Sequence, residues 1–117
     1  MNGRIVLTTC SAADEAQRIA EELVNTRLAA CVNIVPGVQS VYRWQGAVVK
    51  EQELLLLIKT SAERLPALEE TLLGLHSYET PEFVVLAAEH ISPGYAAWLE
   101  ENLGGWATKP ARSFRTT

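Results

Sequence analysis

Two cysteines and two histidines are the side chains of this 117-residue chain best suited to nucleophilic or soft-metal chemistry. Cys31 lies in RLAACVNIVPG, residues 27–37, after two alanines and ahead of an apolar run. Three readings are open for it: a small core residue, a soft-metal ligand or a reactive thiol. A buried cysteine behaves as a small hydrophobe. A nucleophile needs a nearby base or cation to form the thiolate, and neither histidine stands close to Cys31 in sequence. Cys10 precedes a helix start, where the helix dipole lowers the pKa of an exposed thiol. Packing at a strand end is the simpler reading of Cys10.

The stretch HSYETPE, residues 76–82, puts His76, Tyr78, Glu79, Pro81 and Glu82 into one short loop. Loops dense in such groups often carry function. The same residues also suit a tight connection in which Pro81 and side-chain hydrogen bonds set the entry to the next strand. His90 reads as a plain strand-end residue. Lys59 closes an apolar strand, from which its amine can snorkel to the surface or reach a pocket. The motifs CxxC, HxH, HExxH, GxGxxG, GxSxG and the P-loop are absent from the sequence. The closely spaced Cys and His ligands of a structural zinc site are also missing. With no base–nucleophile pair in evidence, the expectation is a protein that is not an enzyme and requires no cofactor.

The elements that must position these groups fit one domain over residues 1–117, with a core over 1–103 and a tail over 104–117. The net charge is −4, and the ten Lys and Arg are scattered without a basic run. That argues against a nucleic-acid partner, since neutralising phosphates takes a basic patch. Apolar runs such as LLLLI at 54–58 fall far short of the roughly 20 residues of a membrane helix. MNGRIVLTT has no basic leader followed by a long apolar stretch. With two cysteines only, a reduced, cytoplasmic protein is expected.

RIVLTTC (4–10) is a β-branched apolar run and reads as a strand. SAAD (11–14) matches a capping box from Ser11 to Asp14. Ala16, Ile19, Ala20 and Leu23 then recur on one helical face, which predicts a helix from Ala12 to about Arg27. AACVNIV (29–35) is a second strand, broken by Pro36-Gly37, and the chain then alternates to Trp44 and returns as AVVKEQELLLLIKT (47–60). This is one long hairpin. Its first strand is an edge strand or a bulged one, because proline cannot donate to a ladder. ELLLLIK lacks alternation, which predicts cover on both faces or a central, buried place in the sheet. A second helix lies between Ser61 and Leu75, starting from a Thr60–Glu63 capping box or at Pro66 as a first-turn residue. FVVLAAEHI (83–91) reads as a fourth strand. SPGYAAWLEENLGG gives a third helix, capped by Ser92 and stopped by Gly104-Gly105. The tail is polar apart from Trp106 and Phe114.

This order predicts an α+β fold: a ferredoxin-like split βαβ sandwich with a long hairpin and an extra C-terminal helix. Strands one and three should be central. The hairpin over 38–50 extends past any core so small a domain supplies, and it carries Tyr42 and Trp44. An isolated two-stranded ribbon is marginal in water, and a long aromatic-bearing edge invites another chain. An oligomer is therefore expected. No disulfide is expected between Cys10 and Cys31.

LAACVNIVPGVQSVYRWQG, EQELLLLIKT and HSYETPE, in this order and spacing, closely resemble the CutA family of divalent-ion tolerance proteins. The resemblance runs from about Arg4 to Leu103. It implies a ferredoxin-like subunit in a homotrimer, with the long hairpin extending the sheet across neighbours. It also implies tolerance of copper or other divalent cations, with no established reaction. The family's recurring positions surround an intersubunit cleft and match Tyr42, Trp44, Lys59, Tyr78 and Glu79 here, together with Cys31, His76 and Glu82. The last three are the candidate metal donors, being soft or borderline ligands with one carboxylate. The chain departs from the family pattern at Ser77, where members commonly read His-Pro-Tyr, and at Leu75, which removes one half of a histidine pair. Thr8 stands where some members carry a cysteine. The alternatives are a trimeric small-molecule sensor resembling the nitrogen-regulatory PII proteins, or a scaffold without ligand.

Overall fold

The computed structural model describes residues 1–104. The chain runs β1 (Gly3–Cys10), α1 (Ala13–Asn25), β2 (Cys31–Trp44), β3 (Ala47–Ser61), a 3-10 turn at Ala62–Arg64, α2 (Leu65–Leu75), β4 (Val84–Ala87) and α3 (Pro93–Glu101). The four strands form one antiparallel sheet in the order β2-β3-β1-β4. The two most apolar strands are central, and the proline-bearing β2 is at an edge, as the sequence leads one to expect. This is the ferredoxin-like arrangement.

Period-two alternation in the central strands decides the core. Val6, Thr8 and Cys10 of β1 and Leu56, Ile58 and Thr60 of β3 are fully buried. The apolar members of this set pack against Ala16, Ile19 and Leu23 of α1 and Leu68 and Leu72 of α2. The opposite face is finished only in one corner. There Leu99 and Leu103 join Ala30, with Ile91, Tyr95 and Trp98 around them. Elsewhere on that face Ile5, Leu7, Leu55 and Leu57 are half-buried, and Val35, Val84 and Leu86 are exposed. Of the two expectations for β3, its central place in the sheet holds, whereas cover on both faces does not. Within one subunit its run of leucines is sealed on the helix side and half open on the other.

Several boundaries differ from expectation for identifiable reasons. The N-cap of α1 is Ala12, with no side-chain cap, so the Ser11–Asp14 capping box does not form. The helix stops at Asn25 because Arg27 takes a left-handed φ of 62°, and Leu28 and Ala29 both return their N–H groups to the Leu23 carbonyl. Ala29 and Ala30 are buried loop residues, and β2 starts only at Cys31. Pro36-Gly37 does not break β2. It makes a bulge between Val35 and Val38, with Gly37 at φ 72°, and pairing resumes to Trp44. Thr60 caps nothing, because its hydroxyl donates to the Leu28 carbonyl at 2.7 Å inside the core. The helix proper begins at Leu65 with Pro66 in its first turn, the other start open from the sequence. The expected strand over 83–91 shrinks to Val84–Ala87, because its partner β1 begins only at Gly3, whose carbonyl accepts the Ala88 N–H. Ser92 occupies the N-cap of α3 without a side-chain bond. The helix ends at Glu101, and Gly104 follows at φ 85°. The tail beyond Gly104, with Trp106 and Phe114, lies outside the described residues.

The hairpin projects from this body and stretches the molecule to 52 Å against 27 and 24 Å in the other directions. Val41, Trp44 and Val48 are each 60% exposed on it. Among the described residues no helix is long and apolar enough to cross a membrane.

Candidate functional site

The loop after α2 is built around His76. His76 ends the helix by donating its N–H to the Leu72 carbonyl, then turns extended and points its ring inward, where the side chain is fully buried. Nε2 lies 2.7 Å from the Thr9 carbonyl oxygen, and the Tyr78 N–H points to Nδ1 at 3.1 Å. A carbonyl only accepts and an amide N–H only donates, so the ring is the neutral tautomer with its proton on Nε2. Both nitrogens are therefore engaged. The ring also lies 3.8 Å from Cys10 Sγ. Because Nε2 carries its proton toward Thr9, it cannot act as a base on that thiol. Burial, followed by the negative charges of Glu15 and Glu53, pushes the Cys10 pKa up to about 11, the opposite of an activated nucleophile.

Two carboxylates are buried beside this loop, each held by a donor, as burial of a charge requires. Glu15 accepts the Ser77 N–H at 2.6 Å and approaches His76 Nδ1 at 3.8 Å. Glu53 accepts the Tyr78 hydroxyl at 2.6 Å. Burial first, and that bond to Glu53 second, hold the Tyr78 phenol well above its ordinary range. The Tyr78 ring leans on His76 with centroids 4.7 Å apart. On the hairpin, Tyr42 donates to Glu51, which raises the Tyr42 phenol to about 12. Glu15 and Glu53 were not foreseen as site residues. The signal for Glu15 was present: it stands four residues before Ile19 on the apolar face of α1, where an acid needs a reason. Glu53 gave none beyond its place ahead of the leucine run.

The second cluster is at the far end of the sheet. Cys31 is half-buried and pairs with Lys59 across β2 and β3. The Lys59 amine donates to the Tyr95 hydroxyl at 3.5 Å and lies 5.6 Å from that ring's centroid. Cys31 shares its level with Ile5, through Lys59, whereas His76 bonds Thr9. Four strand residues separate those levels, roughly 13 Å, and the two side chains lie on opposite faces of the sheet. Glu82, Glu79 and His90 are exposed. So Cys31, His76 and Glu82 do not converge within one subunit. Among the described residues no group of three or more His, Cys, Asp or Glu could hold a metal. Of the expected cleft residues, Tyr42 and Tyr78 lie toward one end with the acids, Lys59 lies at the other with Cys31, and Trp44 stands exposed at the hairpin tip. Cys10 and Cys31 are both free. They sit five β3 positions apart and on opposite faces.

The family model of the CutA1 divalent ion tolerance protein matches residues 4–102. The divalent-cation tolerance protein CutA of Thermus thermophilus is 51% identical over 100 residues, 86% of this chain and 97% of its own. Protein CutA of Mus musculus is 39% identical over 93 residues, 80% of this chain and 52% of its own. The solved Thermus thermophilus structure superposes with a TM-score of 0.85 at 50% identity, covering 87% of this chain and 99% of that one. CutA1 from Oryza sativa gives a TM-score of 0.87 at 36% identity, covering 90% and 96%. With the split βαβ sheet, the long hairpin and the His76 loop in place, the chain belongs to the CutA1 divalent ion tolerance family.

Proposed function

We propose that the chain acts in divalent-cation tolerance as a non-catalytic, cytoplasmic homotrimer, and that it takes copper or another soft divalent cation through Cys31 at a site completed by a second subunit. The observation that carries this reading is the unfinished sheet face, where Ile5, Leu7, Leu55 and Leu57 are half-buried beside exposed Val35, Val84 and Leu86. A patch of that kind on a small domain marks an interaction surface. Cys31 borders it, half-buried, with its thiol free. The relatives' names, which speak of divalent-cation tolerance, support the same direction. Soft thiolate ligands favour copper over hard cations. His76 is withdrawn from the donor set, since both of its nitrogens already serve the fold.

The test is copper titration of wild type, Cys31→Ser and His76→Gln, with the assembled mass measured alongside. The reading expects Cys31→Ser to lose binding while His76→Gln keeps it. Equal binding by wild type and Cys31→Ser would remove the metal role. Loss in His76→Gln at unchanged mass and melting temperature would return the histidine to the site.

A further inference from the structure

We propose that Asn2 is a modification site, whose side-chain amide is converted to a carboxylate through a succinimide closed on the nitrogen of Gly3. Ring closure requires the backbone nitrogen after the asparagine to reach the side-chain carbonyl carbon. A side chain on the following residue stands in the way, and glycine has none. Of the four asparagines, Asn25, Asn33 and Asn102 precede Thr26, Ile34 and Leu103, whereas Asn2 precedes Gly3. The other three are also held by the fold. Asn25 closes α1, Asn33 is paired within β2, and Asn102 donates its side-chain amide to the Trp98 carbonyl at 2.8 Å. Asn2 is exposed and stands one residue ahead of β1. Packing keeps the glycine bare, because a Cβ at Gly3 would run into Cδ1 of Ile91.

The surroundings of Asn2 favour the attack. The Gly3 nitrogen reacts as its anion, and that charge is shared with the carbonyl oxygen of the same peptide, which is the Asn2 oxygen. This oxygen accepts the Ala62 N–H at 2.8 Å. A donor already aimed at developing negative charge lowers the barrier to forming it. The bond from the Gly3 nitrogen to the side-chain carbonyl carbon forms, and the bond from that carbon to Nδ2 breaks. Ammonia leaves with the proton of the Gly3 amide. Water then opens the ring at either carbonyl and gives aspartate or isoaspartate. Nδ2 of Asn2 donates to Glu63 Oε2 at 3.5 Å, so both products replace a donor to Glu63 by a like charge. Isoaspartate also lengthens the backbone by a methylene beside the Asn2–Ala62 bond. The reaction therefore loosens the start of β1 from the 3-10 turn at Ala62–Arg64.

Peptide mass spectrometry tests this on full-length protein aged in mildly alkaline buffer and then digested with pepsin in acid, which halts the reaction. The peptide holding Asn2 is expected to gain about 1 Da, the change from amide to acid, and to split into aspartyl and isoaspartyl forms. Asn25, Asn33 and Asn102 should stay intact, and Asn2→Gln should show no gain. Ala62→Pro removes the donated N–H at the first position of the 3-10 turn, where proline is tolerated. It should slow the gain severalfold at an unchanged melting temperature. Exchange of the Ala62 N–H should be faster in aged than in fresh wild type. If Ala62→Pro does not fold, the pair of products and the Asn2→Gln control decide. An unmodified Asn2 peptide, equal gain at the other asparagines, or aspartate without isoaspartate would overturn the proposal. A folded Ala62→Pro that ages as fast as wild type would overturn the part given to the Ala62 N–H.

Discussion

The two faces of the central strands are made of the same residues and end in opposite states. On the helix side Leu56 and Ile58 are fully buried under α1 and α2. One residue along in each case, Leu55 and Leu57 face a surface that the subunit leaves half open. A strand shows its two faces by turns, so four consecutive leucines supply both. The difference teaches that the fold of one chain is complete on the helix side, whereas the other side is left half open by the subunit itself. The polar features follow the same division. The His76 loop is closed, with its ring nitrogens, Glu15 and Glu53 each satisfied. Cys31 and Lys59 stand at the border of the open face.

The largest effect should come from the closed face. Leu56→Ala is expected to cost about 2–5 kcal/mol in chemical denaturation, independent of protein concentration. Leu57→Asp, one residue away, should instead leave the circular dichroism of the fold intact and abolish assembly in light scattering. If the two substitutions behave alike, the contrast between the faces is wrong.

A smaller effect concerns Thr8, whose buried hydroxyl has no hydrogen-bond partner among the described residues. Thr8→Val keeps the shape and removes the unpaired group, so stability should rise by about 1 kcal/mol. Unchanged or lower stability would mean that the hydroxyl is satisfied in solution.

The thiols sharpen the comparison further. Cys31 should label readily with a thiol reagent in the dissociated Leu57→Asp variant, and Cys10 only on unfolding. The Cys10 pKa is raised from 9.0 to about 11 in the fold. Above pH 9 the unfolded chain releases this proton while the folded chain keeps it, so stability falls as pH rises from 9 to 11. Below pH 9 the full contribution is present. Cys10→Ala should show a shallower fall in melting temperature across that window. Identical slopes would show that the thiol is not the group responsible.

Much of this was legible in the sequence, and the misses share a cause. The order of elements and the central place of β1 and β3 follow from hydrophobic runs and one helical period. Both are local signals. The Ser11 box failed because α1 takes Ala12 as its N-cap, and the Thr60 box because that hydroxyl has a better partner far away, in the Leu28 carbonyl. The fourth strand came out short because its length depends on where β1 begins. Cys31 and His76 were grouped as candidate donors, yet register and strand parity set them on opposite faces, and neither can be read from spacing. The buried Glu53 is partnered by Tyr78, which arrives from a distant loop.

The central claim is that the open sheet face is covered by further copies of this chain. Native mass spectrometry of the wild-type protein at micromolar concentration tests it most directly. The account predicts a dominant species of three subunits, about 39 kDa from a subunit of 12.9 kDa, that Leu57→Asp reduces to one. A wild-type protein that stays at 12.9 kDa would contradict it.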